Sequence, residues 1–187
     1  GYDYTHVRLP DGYTRDQLTS LEFLDHAQDL VFYGRTGRGK THLAIALGVK
    51  AIGQGRAVRF CQTAELVLQL GKAKRAGSLD QILKDLARAD LIILDEFGYV
   101  PFDIDGARLL YQIIAGAYER RSIIFTTNIE FGKWGTIFAD DKLAAAIVDR
   151  IVHHGRLIEF HGPSRRMSEA LMFDHTNNQS TTTSMPQ

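Results

Sequence analysis

The sequence has no excess of charge of either sign, only one cysteine and no long apolar run. Lysine plus arginine and aspartate plus glutamate each number 22 among 187 residues, which excludes a basic nucleic-acid-binding tail and an acidic solvating segment. Any contact with DNA must therefore come from a local patch. The single cysteine, Cys61, excludes a disulfide within the chain. No apolar stretch approaches the ~20 residues that span a bilayer, so we expect no membrane partner.

The beginning of the chain also lacks an initiator methionine and the basic-then-apolar pattern of an export signal, so we expect a cytoplasmic protein. We interpret residues 1–29 as a linker and the remnant of a truncated N-terminal segment. The capping-box spacing of Thr14 and Gln17 predicts one short helix within it. Residues 30–162 are expected to form one domain. We expect the C-terminal tail, residues 163–187, to be largely disordered, since it is poor in apolar side chains towards its end.

Short apolar runs alternate with segments of helical periodicity across the expected domain. The runs predict buried strands at 30–33, 57–61, 91–94, 122–127 and 155–160. Apolar residues at helical spacing predict helices over 40–52, from a cap at Thr63 past residue 70, and over 78–89, 106–120 and 141–153. This alternation predicts an α/β fold, with a parallel sheet of about five strands sandwiched between helices.

The strongest motif is GRTGRGKT, which matches the P-loop pattern G-x-x-x-x-G-K-[ST] and lies between a predicted strand and a predicted helix. Its glycines let successive backbone N–H groups face one anion, and the helix N-terminus adds its positive end. The alternative is a glycine-rich turn that carries lysine and threonine by chance. We predict that ATP and Mg²⁺ are bound by Gly34, Arg35, Thr36, Gly37, Arg38, Gly39, Lys40 and Thr41, with Lys40 on the terminal phosphates and Thr41 on the metal.

Two carboxylates follow the predicted strand at 91–94, at the edge of the sheet where open α/β folds bind ligands. We expect Asp95 to hold the water molecules of Mg²⁺, and Glu96 to orient and deprotonate the water that attacks the γ-phosphate. The alternative for this pair is a solvated turn. Its position downstream of a P-loop favours the functional interpretation.

Asn128 follows the predicted strand at 122–127. If that strand lies between the P-loop strand and the Asp95 strand, the Asn128 amide is directed at the attacking water and the γ-phosphate. The alternative is a local role, since asparagine also favours turns.

Two sets of basic residues have both a functional and a structural interpretation. Arg150 lies late in a predicted helix, where it is either an ordinary surface ion-pair partner or an arginine that acts on the nucleotide of a neighbouring subunit. From the residues alone, the surface role is favoured. Lys72, Lys74 and Arg75 lie where a predicted helix ends, and they form either a solvated face or a patch for DNA phosphates.

Three other residue types of possible chemical interest have structural interpretations. A metal site at His153, His154 and His161 is rejected, because adjacent residues point to different sides of a helix and no acidic ligand has the right spacing. Cys61 has no visible activating base and is interpreted as a buried structural thiol. Trp134 is interpreted as a packing anchor.

Together, these motifs resemble those of the IstB-type transposition helper ATPases, AAA+ proteins similar to the DnaC helicase loaders. The resemblance spans about residues 18–166, and its most specific parts are GKTHLA, Trp134 and DRIVHH. It implies that residues 30–162 are an AAA+ ATPase domain, and that the protein is an oligomer that binds duplex DNA and engages a transposase.

By matching positions, the resemblance implies that Lys40 and Thr41 bind the nucleotide and Mg²⁺. It implies that Asp95 and Glu96 act on the metal and the attacking water, and that Asn128 has the sensor role. It makes Arg150 a finger that acts across the subunits of a homo-oligomer. The sequence departs from the family at Thr36, where proline is common, and it lacks the usual helical N-terminal segment and a helical lid with a second sensing arginine.

Three alternatives remain at this point. A DnaC-like helicase loader would have a replicative helicase as its partner, and the motifs barely separate it from a transposition helper. A small-molecule P-loop kinase would transfer phosphate to an acceptor, but the acidic pair and the asparagine fit water attack better. A nucleotide-gated binding module would hydrolyse little ATP by itself.

Overall fold

The computed structural model describes residues 2–168, and most of the predicted C-terminal tail lies outside the described residues. The chain forms the strands β1 (Val7–Arg8), β2 (Asp29–Tyr33), β3 (Val58–Gln62), β4 (Leu91–Asp95), β5 (Ser122–Thr127) and β6 (Gly155–Phe160). The α-helices are α1 (Arg15–Ser20), α2 (Glu22–Asp25), α3 (Lys40–Gly53), α4 (Thr63–Ala76), α5 (Leu79–Ala87), α6 (Ile104–Ala117), α7 (Asp141–His154) and α8 (Arg165–Ser168), and a 3₁₀-helix covers Phe131–Thr136.

All six strands belong to one sheet, in the order β1-β6-β2-β5-β4-β3. Strands β2 to β6 are parallel to one another, and β1 runs antiparallel to β6 at the edge. The predicted α/β fold with a mainly parallel sheet is confirmed. Strand β1 has two residues, too few to produce a periodic signal. Strand β5 lies between β2 and β4, which is the condition on which the prediction for Asn128 depends.

Helices cover both faces of the sheet and form two separate cores. Successive side chains of a strand point to opposite faces, so Ile92 and Leu94 pack with α4, α5, α6 and α7 while Leu91 and Ile93 pack with α1, α2 and α3. The central strands are therefore buried on both faces. Apolar side chains are needed at successive positions of such strands, so their sequences are continuous apolar runs.

Several helix ends differ from those predicted, because the caps are polar residues outside the apolar pattern. Helix α6 begins at Ile104 rather than 106, since the Asp103 side chain accepts a hydrogen bond from the Gly106 N–H at 2.7 Å. The prediction that Thr63 caps α4 is wrong. The Gln62 side chain is the cap, and Thr63 is the first helical residue.

Part of the segment before β2, which the sequence analysis interpreted as a linker, packs against the sheet. The predicted capping box is present, with Thr14 and Gln17 bonded reciprocally at the start of α1. Leu18 and Phe23 are fully buried against the face of the sheet that α3 covers. Residues 13–24 thus contribute to the core of the domain.

Trp134 is a packing anchor, as predicted. Its side chain is fully buried, its ring lies 4.8 Å from that of Phe97 and 5.7 Å from that of Phe125, and its indole N–H donates to the Ile129 carbonyl at 3.2 Å. The sequence did not predict the 3₁₀-helix that carries it. This packing fixes the segment that follows β5 and Asn128.

Candidate nucleotide-binding site

The P-loop joins β2 to α3 and is shaped by glycines with left-handed backbone conformations. Gly37 has φ +84° and Gly39, the residue that caps α3, has φ +89°. A Cβ atom at Gly37 would lie 2.2 Å from the Ser164 hydroxyl oxygen, and one at Gly39 would lie 2.8 Å from the Tyr2 hydroxyl oxygen. Side chains are excluded at both positions by backbone strain and by lack of space.

Lys40 folds back into the loop that precedes it. Its ammonium donates to the carbonyl of Gly34 at 2.6 Å and to that of Arg35 at 2.9 Å. Burial lowers the pKa of Lys40 to about 8, with a raising effect from Asp95 and a lowering effect from Arg166. A buried cation bound by neutral carbonyls favours the arrival of an anion, because negative charge stabilises the protonated form.

Asp95 connects three elements at the carboxyl edge of the sheet. Its Oδ1 accepts hydrogen bonds from the hydroxyls of Thr41 at 2.8 Å and Thr126 at 2.6 Å. Its backbone carbonyl accepts from the Thr63 hydroxyl at 2.7 Å. Thr41 of α3 and Asp95 of β4, both predicted as metal-site residues, are therefore in direct contact.

Glu96 leaves the sheet in a left-handed conformation, with φ +54°. Its backbone N–H donates to the Thr126 hydroxyl at 2.9 Å, which holds the turn in place. Its carboxylate Oε2 accepts from the Gln62 side-chain amide at 3.1 Å. The side chain of Glu96 lines the same cavity as the P-loop.

A cavity of about 250 Å³ brings Glu96 together with most of the P-loop, while Gly34, Arg35 and Asp95 are not part of its lining. It is lined by Thr36, Gly37, Arg38, Gly39, Lys40, Thr41, His42, Glu96, Tyr99, Arg165 and Arg166. The lining is rich in basic side chains and backbone groups, which suits an anionic ligand. The sequence analysis did not single out Tyr99, Arg165 or Arg166, because they come from segments without a recognisable motif.

Two distant segments hold the loop from outside. The Tyr2 hydroxyl donates to the Gly39 carbonyl at 3.2 Å, and the Arg165 backbone N–H donates to the Gly37 carbonyl at 2.9 Å. The two segments also contact each other, since the Arg165 guanidinium bonds to Asp3 at 3.0 Å. Both ends of the described chain thus contact the P-loop.

Asn128 is exposed at the end of β5 and lies outside the lining of the cavity. The preceding residue places it close to the loop, because the Thr127 carbonyl accepts from the Gly34 N–H at 3.2 Å. Thr126 of the same strand donates a hydrogen bond to Asp95, so it contacts a predicted site residue directly. A hydroxyl side chain at the carboxyl end of a buried strand was the signal that could have identified it.

Arg150 lies away from the cavity, on α7. Its guanidinium donates to the Ala146 carbonyl at 3.0 Å and lies 5.1 Å from the centre of the Tyr111 ring. Helix α7 belongs to the layer of α4, α5 and α6, and Arg150 is not among the residues that line the cavity. Within one chain, the structure does not bring Arg150 to the P-loop.

The predicted DNA patch is exposed at the end of α4. Lys72, Lys74 and Arg75 all lie in contact with solvent. Neighbouring basic residues are engaged with acids instead, since Arg59 forms a two-point contact with Asp85 at 2.9 and 2.8 Å. Lys84 and Arg88 line a surface cavity with Gly77, the residue that caps the end of α4, so they add basic side chains near the patch.

Cys61 does not have the surroundings of a nucleophile. Its side chain is half-buried against the core formed by α4 to α7, and burial raises the pKa of the thiol. A catalytic cysteine needs a lowered pKa. The geometry agrees with a structural thiol.

Comparison with known proteins assigns the chain to a family. The family model for IstB-like ATP binding protein matches residues 1–172. The chain belongs to this IstB-like family. It is 38% identical over 168 residues to the ATP-binding protein described for insertion sequence IS5376 of Geobacillus stearothermophilus, and the match covers 90% of the chain and 67% of the relative. It is 39% identical over 168 residues to the corresponding IS21 protein of Pseudomonas aeruginosa, with 90% and 63% covered.

The IstB-like chain thus spans about two thirds of the length of these curated relatives. Its fold is similar to that of the DnaC helicase loader, with a TM-score of 0.68 at 24% identity over 81% of this chain and 95% of that one. AMPPCP-bound DnaA from Aquifex aeolicus gives a TM-score of 0.65 at 19% identity, with 78% and 44% covered. The predicted AAA+ fold and the resemblance to IstB-type proteins are confirmed.

Among the described residues, no helix combines the length and the apolar character that crossing a membrane requires.

Proposed function

We propose that this chain is an AAA+ ATPase that binds DNA and helps a transposase engage its target. The observation that carries the ATPase part is the convergence of Lys40, Thr41, Asp95 and Glu96 on one edge of the sheet, around a cavity suited to an anion. The transposase part is supported by the relatives, which are described as ATP-binding proteins of insertion sequences.

The loop binds the triphosphate of ATP through its backbone N–H groups and Lys40. The Lys40 ammonium exchanges the two loop carbonyls for phosphate oxygens, which compensate its buried charge. Thr41 and Asp95 fit Mg²⁺, because they offer oxygen donors 2.8 Å apart beside the loop. Mg²⁺ at this position supplies charge neutralisation for the transferred phosphoryl group.

Glu96 is the base that accepts a proton from the attacking water, while the oxygen of that water forms the new bond to the γ-phosphorus and the bond to ADP breaks. The hydrogen bond from Gln62 and the turn held by Thr126 position the Glu96 carboxylate. Asn128, at the end of the strand between the P-loop and Asp95, orients the same water.

Arg150 acts on the nucleotide of a neighbouring subunit in a homo-oligomer, since it is not among the residues that line its own cavity. We expect Arg150→Ala to keep normal ATP affinity and to lose about 10³- to 10⁵-fold in turnover. Arg108→Ala, at an exposed position of α6, is the matched control and should keep wild-type turnover.

Mixing subunits tests whether Arg150 acts in trans. Arg150→Ala retains an intact P-loop, and Lys40→Ala retains Arg150, so a mixture should regain ATPase activity that neither variant has alone. An absence of rescue at every mixing ratio would contradict the trans role.

The patch of Lys72, Lys74 and Arg75 contacts DNA phosphates. We expect the double variant Lys72→Glu, Lys74→Glu to weaken binding to duplex DNA and to reduce the slope of log K against log salt by about 2, since each phosphate contact contributes about 0.9. The double variant Lys133→Glu, Lys142→Glu has the same charge change at other exposed positions. If both double variants lost the same affinity for duplex DNA, the result would contradict a specific role for the patch.

ATP turnover without any phosphate acceptor, stimulated by duplex DNA, distinguishes this function from that of a small-molecule kinase. A kinase would require an added acceptor and would be indifferent to DNA. The helicase-loader alternative differs only in the partner. ATP-dependent co-sedimentation with a transposase, and not with a replicative helicase, supports the present proposal.

A further inference from the structure

A cluster of metal-ligating side chains lies far along the chain from the P-loop, where α6 and α7 end side by side. Glu119, His153 and His154 each offer one ligand atom, and these atoms lie within 4.8 Å of one another. The two imidazole rings are 4.5 Å apart between centres. The sequence-based reason for rejecting a metal site at these histidines is therefore wrong. The rings stay close, and the acidic ligand comes from another element.

Neighbouring groups orient the cluster. The Tyr118 hydroxyl forms a 2.5 Å hydrogen bond with Nδ1 of His153, and the His154 ring packs edge-on against Tyr118 at 5.1 Å. Glu119 directs its carboxylate to Nε2 of His154 at 3.0 Å. The hydrogen bond from Tyr118 to Nδ1 fixes the orientation of the His153 ring and leaves its Nε2 for a metal. A metal bound between His154 and Glu119 would replace the proton that these two side chains share.

A simple surface ion pair accounts for only part of this arrangement. Such a pair needs Glu119 and His154 alone, and an exposed pair contributes little to stability. His153 is not part of it, yet its ring is placed beside the same carboxylate and held by Tyr118. The second imidazole is what distinguishes a three-ligand site from a pair.

We propose that Glu119, His153 and His154 bind Zn²⁺. Two imidazole nitrogens and one carboxylate oxygen are a common zinc ligand set, with water in the fourth position. Mg²⁺ prefers oxygen ligands, so the cation expected at Thr41 and Asp95 does not compete here. The bound metal connects the end of α6 to the end of α7.

Zinc titration of the untagged full chain, stripped of metal with chelator and kept in millimolar Mg²⁺, tests the site. Isothermal titration calorimetry should give one equivalent of Zn²⁺, and Co²⁺ in its place should give the visible absorption of a tetrahedral site. The melting temperature should rise by about 5 °C or more at a hundredfold excess of Zn²⁺ over its Kd.

Single substitutions assign the ligands. His153→Ala, His154→Ala and the isosteric Glu119→Gln should each weaken Zn²⁺ binding tenfold or more and abolish the rise in melting temperature. His161→Ala and His26→Ala, which remove exposed histidines outside the cluster, should bind like wild type. Circular dichroism of the metal-free variants checks that each is folded.

Either of two results would overturn the proposal. One is the absence of saturable Zn²⁺ binding by the wild-type chain up to about 1 mM. The other is unchanged Zn²⁺ binding by folded His153→Ala. Removing a true ligand would leave only the His154–Glu119 pair, which should bind the metal weakly, so unchanged affinity would mean that His153 is not a ligand.

Discussion

Lys40→Ala is expected to weaken ATP binding by about 30-fold at least and by as much as several thousandfold. The ammonium is buried and bonded to the carbonyls of Gly34 and Arg35, and truncating one partner of a buried charge pair costs about 2–5 kcal/mol. Calorimetry with Mg-ATP at pH 7 measures the effect. At that pH the wild-type side chain is charged, since burial lowers the pKa of Lys40 only to about 8.

Lys50→Ala is the matched control for this experiment. Lys50 lies on the same helix, and its exposed side chain contacts the Thr19 carbonyl. It should bind Mg-ATP like wild type. Equal affinities of Lys40→Ala and the wild type, with both proteins folded, would contradict a role for Lys40 in holding phosphate.

Glu96→Gln is expected to bind ATP within about twofold of wild type and to lose about 10²- to 10⁴-fold in turnover, the usual contribution of a general base. Glutamine keeps the size of the side chain and an oxygen that accepts the hydrogen bond from Gln62, but it does not take a proton from water. Single-turnover measurement of phosphate release separates this loss from any change in binding.

Glu65→Gln, at an exposed position of α4, is the control for loss of one carboxylate and should keep normal turnover. Wild-type phosphate release by Glu96→Gln would remove Glu96 from the role of base. Gln62→Ala should have a smaller effect than Glu96→Gln, because Gln62 acts only by positioning the carboxylate.

The features predicted from the sequence are those with local signals. The buried strands β4 and β5 are short apolar runs, and the P-loop is a contiguous motif between a strand and a helix. The proximity of Asp95 to Thr41 also follows from topology, because the carboxyl ends of parallel strands meet at one edge of the sheet. Their 2.8 Å contact agrees with that inference.

The features that the sequence did not predict are contacts between distant segments. Gln62, Thr126 and Tyr99 reach the site from separate segments, and none belongs to a motif. Glu119 joins the histidines of α7 only because α6 ends beside that helix. Spacing along one helix carries no information about a ligand from its neighbour.

A structure with Mg²⁺ and a non-hydrolysable ATP analogue tests the central claim most directly. We predict that the triphosphate lies in the loop, that the Lys40 ammonium has left the carbonyls of Gly34 and Arg35 for phosphate oxygens, and that Thr41 and Asp95 lie beside the metal. A saturated crystal in which Lys40 still bonds to those carbonyls, with the analogue elsewhere or absent, would contradict the account.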